Sequence, residues 1–174
     1  MLVHLLQIET LTKERFAPYG HVLMQDPGVS PIKEGPPLFS DRIPFAVDDG
    51  SPEFVFAVLH RRTFTFTEME RHLKLTQGFI PISGGPAIIT VAPPTDDSDM
   101  EAIPSPDSVR AFIMDRTTTV VLHRGTWHGM IFPLEPVFHY LLATRKETTD
   151  ESIAPLRDGD VQIRDLGVRF KIML

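Results

Sequence analysis

The clearest pattern in this chain is alternation. Phe64 to Thr67 alternates aromatic and hydroxyl side chains, and in the tail Val161 and Ile163, then Val168, Phe170, Ile172 and Leu174, are spaced by polar partners. A period of two predicts strands with one face buried. Segment 54–61 is rich in aromatic and β-branched residues and predicts a strong strand. Further strands are predicted over 21–24, 78–82, 87–92, 109–114, 118–123, 129–132 and 137–144, with turn residues between them. Segment 78–82 is joined to 87–92 by Ser83-Gly84-Gly85-Pro86. Thr12 is placed to cap one short helix over 13–17, which Pro18-Tyr19-Gly20 stops. Residues 26–52 are rich in Pro and Gly and lack periodicity, so they read as a surface loop holding at most one strand over 42–47. Residues 93–108 read as an acidic, Pro-rich loop between strands. About ten short strands and a single helix predict an all-β sandwich or barrel.

Composition narrows this picture. At 174 residues the chain fits one domain spanning 1–174, able to bury about 70% of its unfolded surface. Its 16 prolines favour short segments over long helices. A net charge of −6 argues against nucleic acid, which needs a basic patch to release counterions. There is no cysteine, which excludes disulfides, thiolate metal sites and a thiol nucleophile. No stretch has the roughly 18 apolar residues of a membrane span. The start lacks the basic region of a signal peptide. A cytoplasmic, membrane-free protein is expected.

Two segments concentrate the chemistry: Glu70-Arg71-His72 with Thr76-Gln77-Gly78-Phe79-Ile80-Pro81, and His123-Arg124-Gly125-Thr126-Trp127-His128. On a strand, Glu70 and His72 share one side of the pleat. Gln77 follows after a bend and His128 arrives from a second strand, so four polar groups are expected to meet inside the barrel. Arg71 alternates away from them and is expected to face solvent or a partner subunit. His4, His21, His60 and His139 stand in no motif and read as structural or surface residues. Asp96-Asp97-Ser98-Asp99 lacks the Gly and Glu of a calcium loop and reads as a solvated turn.

These blocks, with Phe16-Ala17-Pro18-Tyr19-Gly20-His21-Val22, Val109-Arg110-Ala111-Phe112 and Asp158-Gly159-Asp160-Val161, resemble in order and spacing the ureidoglycolate lyase family, formerly called ureidoglycolate hydrolase. The likeness runs from about residue 10 to 163. It implies a cupin-type β-barrel (a double-stranded β-helix or jelly roll) that forms a homodimer. The implied reaction splits ureidoglycolate into glyoxylate and urea in allantoin and purine breakdown. The cupin metal set is diluted here to Glu70, His72, Gln77 and His128, and glutamine is a poor transition-metal ligand beside imidazole, so neither metal nor other cofactor is expected. The chain departs from the family pattern at Gly129, where bacterial members often have a second His, and at His139, near which they often carry an Asp.

Breaking the C–N bond of such a substrate needs a base for the hydroxyl proton, an acid for departing urea and a cation or amide cluster for the carboxylate. Histidine suits proton transfer near neutral pH. His128 is expected as base, His72 and Glu70 as the acid or its orienting pair, and Gln77 as a neutral substrate contact. A guanidinium would bind the carboxylate in bidentate fashion. Arg61, Arg110 and Arg124 are all open for this, Arg110 being favoured because it opens an apolar strand. Trp127 is read first as packing and second as a pocket wall that touches substrate. Two alternatives remain: a metal-dependent cupin enzyme on another small hydroxy or ureido acid, and a non-catalytic cupin that binds a small carboxylate.

Overall fold

A computed structural model describes residues 2–154 and 159–174. Twelve strands and two short helices follow in chain order: β1 (Val3–Thr10), α1 (Lys13–Phe16), β2 (Gly20–Leu23), β3 (Pro52–His60), β4 (Thr65–Arg71), β5 (Gln77–Gly84), β6 (Ala87–Ala92), β7 (Arg110–Met114), β8 (Thr119–Leu122), β9 (Trp127–His128), β10 (Phe132–Pro133), β11 (Val137–Arg145), α2 (Lys146–Ile153) and β12 (Gln162–Met173). The all-β architecture expected from the alternating pattern is present.

The strands form two sheets. One runs β10-β6-β7-β1-β12-β4-β9, and β9 also pairs with β6. That second pairing closes β6, β7, β1, β12, β4 and β9 into a ring through the two-residue β9. The other sheet, β2-β8-β5-β11-β3, is open. One hydrophobic cluster lies between the sheets and includes Phe79, Val120 and Phe138 from the open sheet with Ile89, Val91 and Phe112 from the ring. A second fills the ring with Leu6, Met69, Ile88, Trp127, Phe132, Leu166, Phe170 and Ile172. β6 serves both clusters and is buried at all six positions, which is why it is apolar except for Thr90.

The capped helix forms where expected, with Thr12 accepting a hydrogen bond from the Arg15 amide at 3.2 Å. Other expectations need correction. The apolar start, to which the sequence pattern assigns no element, is a strand, β1, held in parallel by both β7 and β12. Segment 42–47 stays irregular, with one bridge from Val47 to Leu75. The strand expected over 129–132 is broken: β9 ends at His128, the Gly129 amide turns to the Thr90 carbonyl at 3.0 Å, and β10 begins at Phe132. A second helix, α2, is present; its sequence Lys-Glu-Thr-Thr-Asp-Glu-Ser-Ile has no apolar stripe, and what it buries are Thr148 and Glu151.

Candidate active site

The pleat decides which side chains face each other. Glu70 on β4 lies directly across from His128 on β9. Their chain neighbours Met69 and Trp127 point into the ring, so Glu70 and His128 project the opposite way, toward the open sheet. There they meet Gln77, Phe79, Tyr140 and Leu142 around a cavity of about 630 Å³. His72 lies one residue beyond the end of β4, on the same side as Glu70. It packs behind His128, with ring centroids 5.3 Å apart.

Glu70, His72 and His128 each bring a polar side-chain atom to a point where all three lie within 4.8 Å of one another. Glu70 Oε1 is 3.8 Å from His128 Nδ1. Three buried atoms here have no protein partner: His72 Nδ1, Gln77 Oε1 and His128 Nε2. Buried polar atoms are nearly always satisfied, so a cluster of three unsatisfied ones marks a place built to receive polar groups from outside the chain. His72 Nδ1 and His128 Nε2 are thus ring nitrogens without a protein partner, and a neutral imidazole carries one lone pair that can accept a hydrogen bond or a proton.

Both rings are held neutral. Burial, reinforced by neighbouring His128, pushes His72 down from 6.5 to about 4, against an opposing pull from Glu70. Burial likewise lowers His128, opposed by Glu70. Tyr140 is raised by burial and by the Glu70 charge, so its phenol stays protonated. The site at neutral pH thus has two imidazole lone pairs, a carboxylate beside one of them, a carboxamide and a neutral phenol.

The imidazole-carboxylate set also suits a divalent cation. The three groups converge, and the two free imidazole nitrogens are the donors such an ion prefers. Gln77 Oε1 would be a weaker fourth oxygen.

The loop carrying His72 is fastened from below. The Asp160 carboxylate accepts the Leu73 and Lys74 amides at 2.7 and 2.9 Å and the Thr148 hydroxyl at 2.8 Å. Glu151 in turn accepts the Asp160 and Val161 amides. This gives α2 and the Gly159-Asp160-Val161 segment a purpose in the site; Asp158 of that block lies outside the described residues.

Four of the six residues singled out from the sequence come together: Glu70, His72, Gln77 and His128. Two do not. Trp127 is fully buried in the ring core, with Nε1 donating to Thr95 at 3.0 Å and the Arg71 guanidinium 4.9 Å above its ring. It belongs to packing and makes no cavity wall, because its neighbour His128 takes the cavity side of the pleat. Arg110 is absent from the lining: it reaches the Asp107 and Val109 carbonyls at 2.7 and 2.9 Å and stands 3.6 Å from Glu9. Arg71 does not face solvent but is completely buried. Arg124 pairs with Asp48, and Arg61 stacks over Phe64 at 5.5 Å. His139 faces away from the cavity beside Ser83, 2.8 Å from its hydroxyl. Gly129, by contrast, does line the cavity, and a Cβ there would run into Thr90 Oγ1.

Among the lining residues that had no part in the sequence reading are Tyr140 and Arg62. Tyr140 sits at an inward position of β11 between Phe138 and Leu142; a phenol on an otherwise apolar stripe was the available signal. Arg62 lies in the turn between β3 and β4, where no periodicity points to it.

Comparison with known proteins gives a consistent result. The family model described as ureidoglycolate lyase matches residues 3–157. A curated ureidoglycolate lyase of Pseudomonas fluorescens (strain Pf0-1) is 33% identical over 147 residues, 80% of this chain and 84% of that protein. One of Pseudomonas syringae pv. syringae (strain B728a) is 31% identical over 79% of this chain and 81% of its own length. One of Chelativorans sp. (strain BNC1) is 30% identical over 79% and 82%. Among solved structures, RmlC from Streptococcus suis in complex with dTDP-D-xylose is similar over 55% of this chain and 44% of its own, at 9% identity and a TM-score of 0.41. The blocks that carry Glu70, His72, Gln77 and His128 all fall inside the matched span, and the chain belongs to the ureidoglycolate lyase family.

Proposed function

We propose that this chain is a lyase that splits ureidoglycolate into glyoxylate and urea, with His128 as the base, and that it serves allantoin and purine breakdown in the cytoplasm. The observation that carries this reading is the convergence of Glu70, His72 and His128, with Glu70, Gln77 and His128 lining one cavity and His72 packed behind His128, in a chain of this family. The free His128 lone pair takes the hydroxyl proton. The O–H electrons form the new carbonyl, and the C–N bond breaks with its pair going to nitrogen. Glu70 stabilises the imidazolium that results, which then returns the proton to departing urea. No water is consumed. His72, neutral at working pH, accepts a hydrogen bond rather than supplying the proton, and Gln77 holds the ureido group.

Residues 1–174 act as one domain in this reading. Support comes from β12, which joins β1 from the opposite end of the chain. Among the described residues no helix is long and apolar enough to cross a membrane. A homodimer is the expected assembly. β3 is an edge strand, and its alternate residues Phe54, Phe56 and Val58 are 69%, 58% and 47% exposed. An edge strand that pairs antiparallel with its own copy closes around a two-fold axis and would join the two stripes into one apolar face.

The test is release of glyoxylate and urea in equal amounts from ureidoglycolate by the purified protein. Tight binding without release would overturn the lyase and favour a carboxylate-binding module. A second reading, a metal-assisted lyase, is favoured by the convergence of Glu70, His72 and His128. A divalent cation held there would polarise the substrate's oxygen atoms. Metal content of the purified protein, and activity after chelation, separates the two readings.

A further inference from the structure

A cavity meant for an anion should contain a cation, and this one contains two carboxylates. Glu68 and Glu70 both line it, and each repels a negatively charged substrate. Arg62 is the one cationic side chain among the described lining residues. Its guanidinium lies 4.6 Å over the Phe132 ring, with Nη1 2.9 Å from the Met130 sulfur. A thioether is a weak acceptor, so most of the five guanidinium donors are left for something else. Arg71, Arg110, Arg124 and Arg145, in contrast, are each tied down by carbonyls, hydroxyls or carboxylates. Arg62 pairs with no carboxylate among the described residues.

Its position relative to the base is also suitable. Met130, which it touches, is two residues from His128 in the chain, and Arg62, His128 and Met130 line the same cavity. The aromatic face beneath it fixes the plane of the guanidinium. Its guanidinium stays protonated at neutral pH, and a cavity-lining cation without a counter-charge is free to bind an anionic ligand.

We propose that Arg62 anchors the substrate's carboxylate, holding the hydroxyl-bearing carbon against His128 and setting the preference for an acid. This rests on ureidoglycolate being the substrate. The test compares the wild type with Arg62→Gln and Arg62→Lys, each checked for an unchanged melting temperature. For Arg62→Gln the KM for ureidoglycolate should rise about 10- to 100-fold, the size of one charged hydrogen-bonded contact, while kcat changes far less. Arg62→Lys, which keeps the charge but loses the fork, should recover part of that rise. A KM for Arg62→Gln within twofold of wild type overturns the anchor alone. Absence of glyoxylate release by the wild type overturns the substrate as well, so the two failures are distinguishable.

Discussion

The same two strands serve opposite purposes on their two faces. On the ring side of β4, Arg71 is fully buried, yet its donors are used: Nε to Gln162 at 2.8 Å, Nη1 to Thr95 at 2.8 Å and the Asp96 carbonyl at 3.2 Å, Nη2 to the Asp99 carbonyl at 2.8 Å. On the cavity side, one residue away in each direction, Glu70 and His72 join His128 and Gln77, where three buried atoms lack partners. Burial alone does not separate structural from functional polar groups. Satisfaction does: a charge wrapped in acceptors holds the fold, and unpartnered lone pairs wait for a ligand.

The largest expected effect tests the cavity side. His128→Ala should lower kcat by about 10²- to 10⁴-fold, the range of a positioned acid–base group. The fold should persist, as followed by far-ultraviolet circular dichroism. Turnover near wild type would remove His128 from the chemistry. Arg71→Met makes the opposite test. It leaves the Gln162, Thr95, Asp96 and Asp99 acceptors without their donor and should cost about 3 kcal/mol or more of unfolding free energy. In the fraction still folded, kcat should be close to normal. A stable Arg71→Met protein without activity would reverse the assignment of the two faces.

Sequence and structure agree unevenly across these faces, for physical reasons. Glu70, His72 and His128 were legible because polar groups on apolar strands stand out against a period of two. Trp127 reads first as packing, which its burial bears out, and only its second reading as a pocket wall fails by one step of the pleat: the sequence shows that it adjoins His128, but only the β4–β9 pairing shows which of the two faces the cavity. Arg71 was expected outside because strand alternation distinguishes two faces but does not say that both are covered, as they are in a closed ring. Arg62 and α2 were missed because neither carries hydrophobic periodicity; Arg62 works from a turn, and α2 buries polar groups. Arg110 seemed a candidate for heading an apolar strand, yet the first residue of β7 lies at the outer rim beside Glu9.

Titration of His72 sharpens the contrast between satisfied and unsatisfied groups. Its pKa in the folded protein, about 4, lies below the 6.5 of an exposed imidazole. Between those values the unfolded chain binds the extra proton, so stability is complete above pH 6.5 and is lost as pH falls toward 4. A gap of that size corresponds to roughly 3 kcal/mol across the window. Urea unfolding of wild type and His72→Gln at pH 7 and pH 4.5 measures it. The wild type should lose more stability than the variant on acidification, and equal losses would show that His72 is not held neutral.

The smallest effect concerns Trp127, where packing and substrate contact give different outcomes. Trp127→Phe removes the hydrogen bond to Thr95 and part of a fully buried ring surface while keeping an aromatic face for Arg71. A lost hydrogen bond of this kind and a modest packing defect together amount to about 1–2 kcal/mol. Unfolding should therefore shift to lower urea concentration, while KM and kcat for ureidoglycolate stay within about twofold. A KM that rose with stability unchanged would mean that the indole reaches the substrate after all. In that case the division of β9 into a packed residue and a reacting residue would no longer hold.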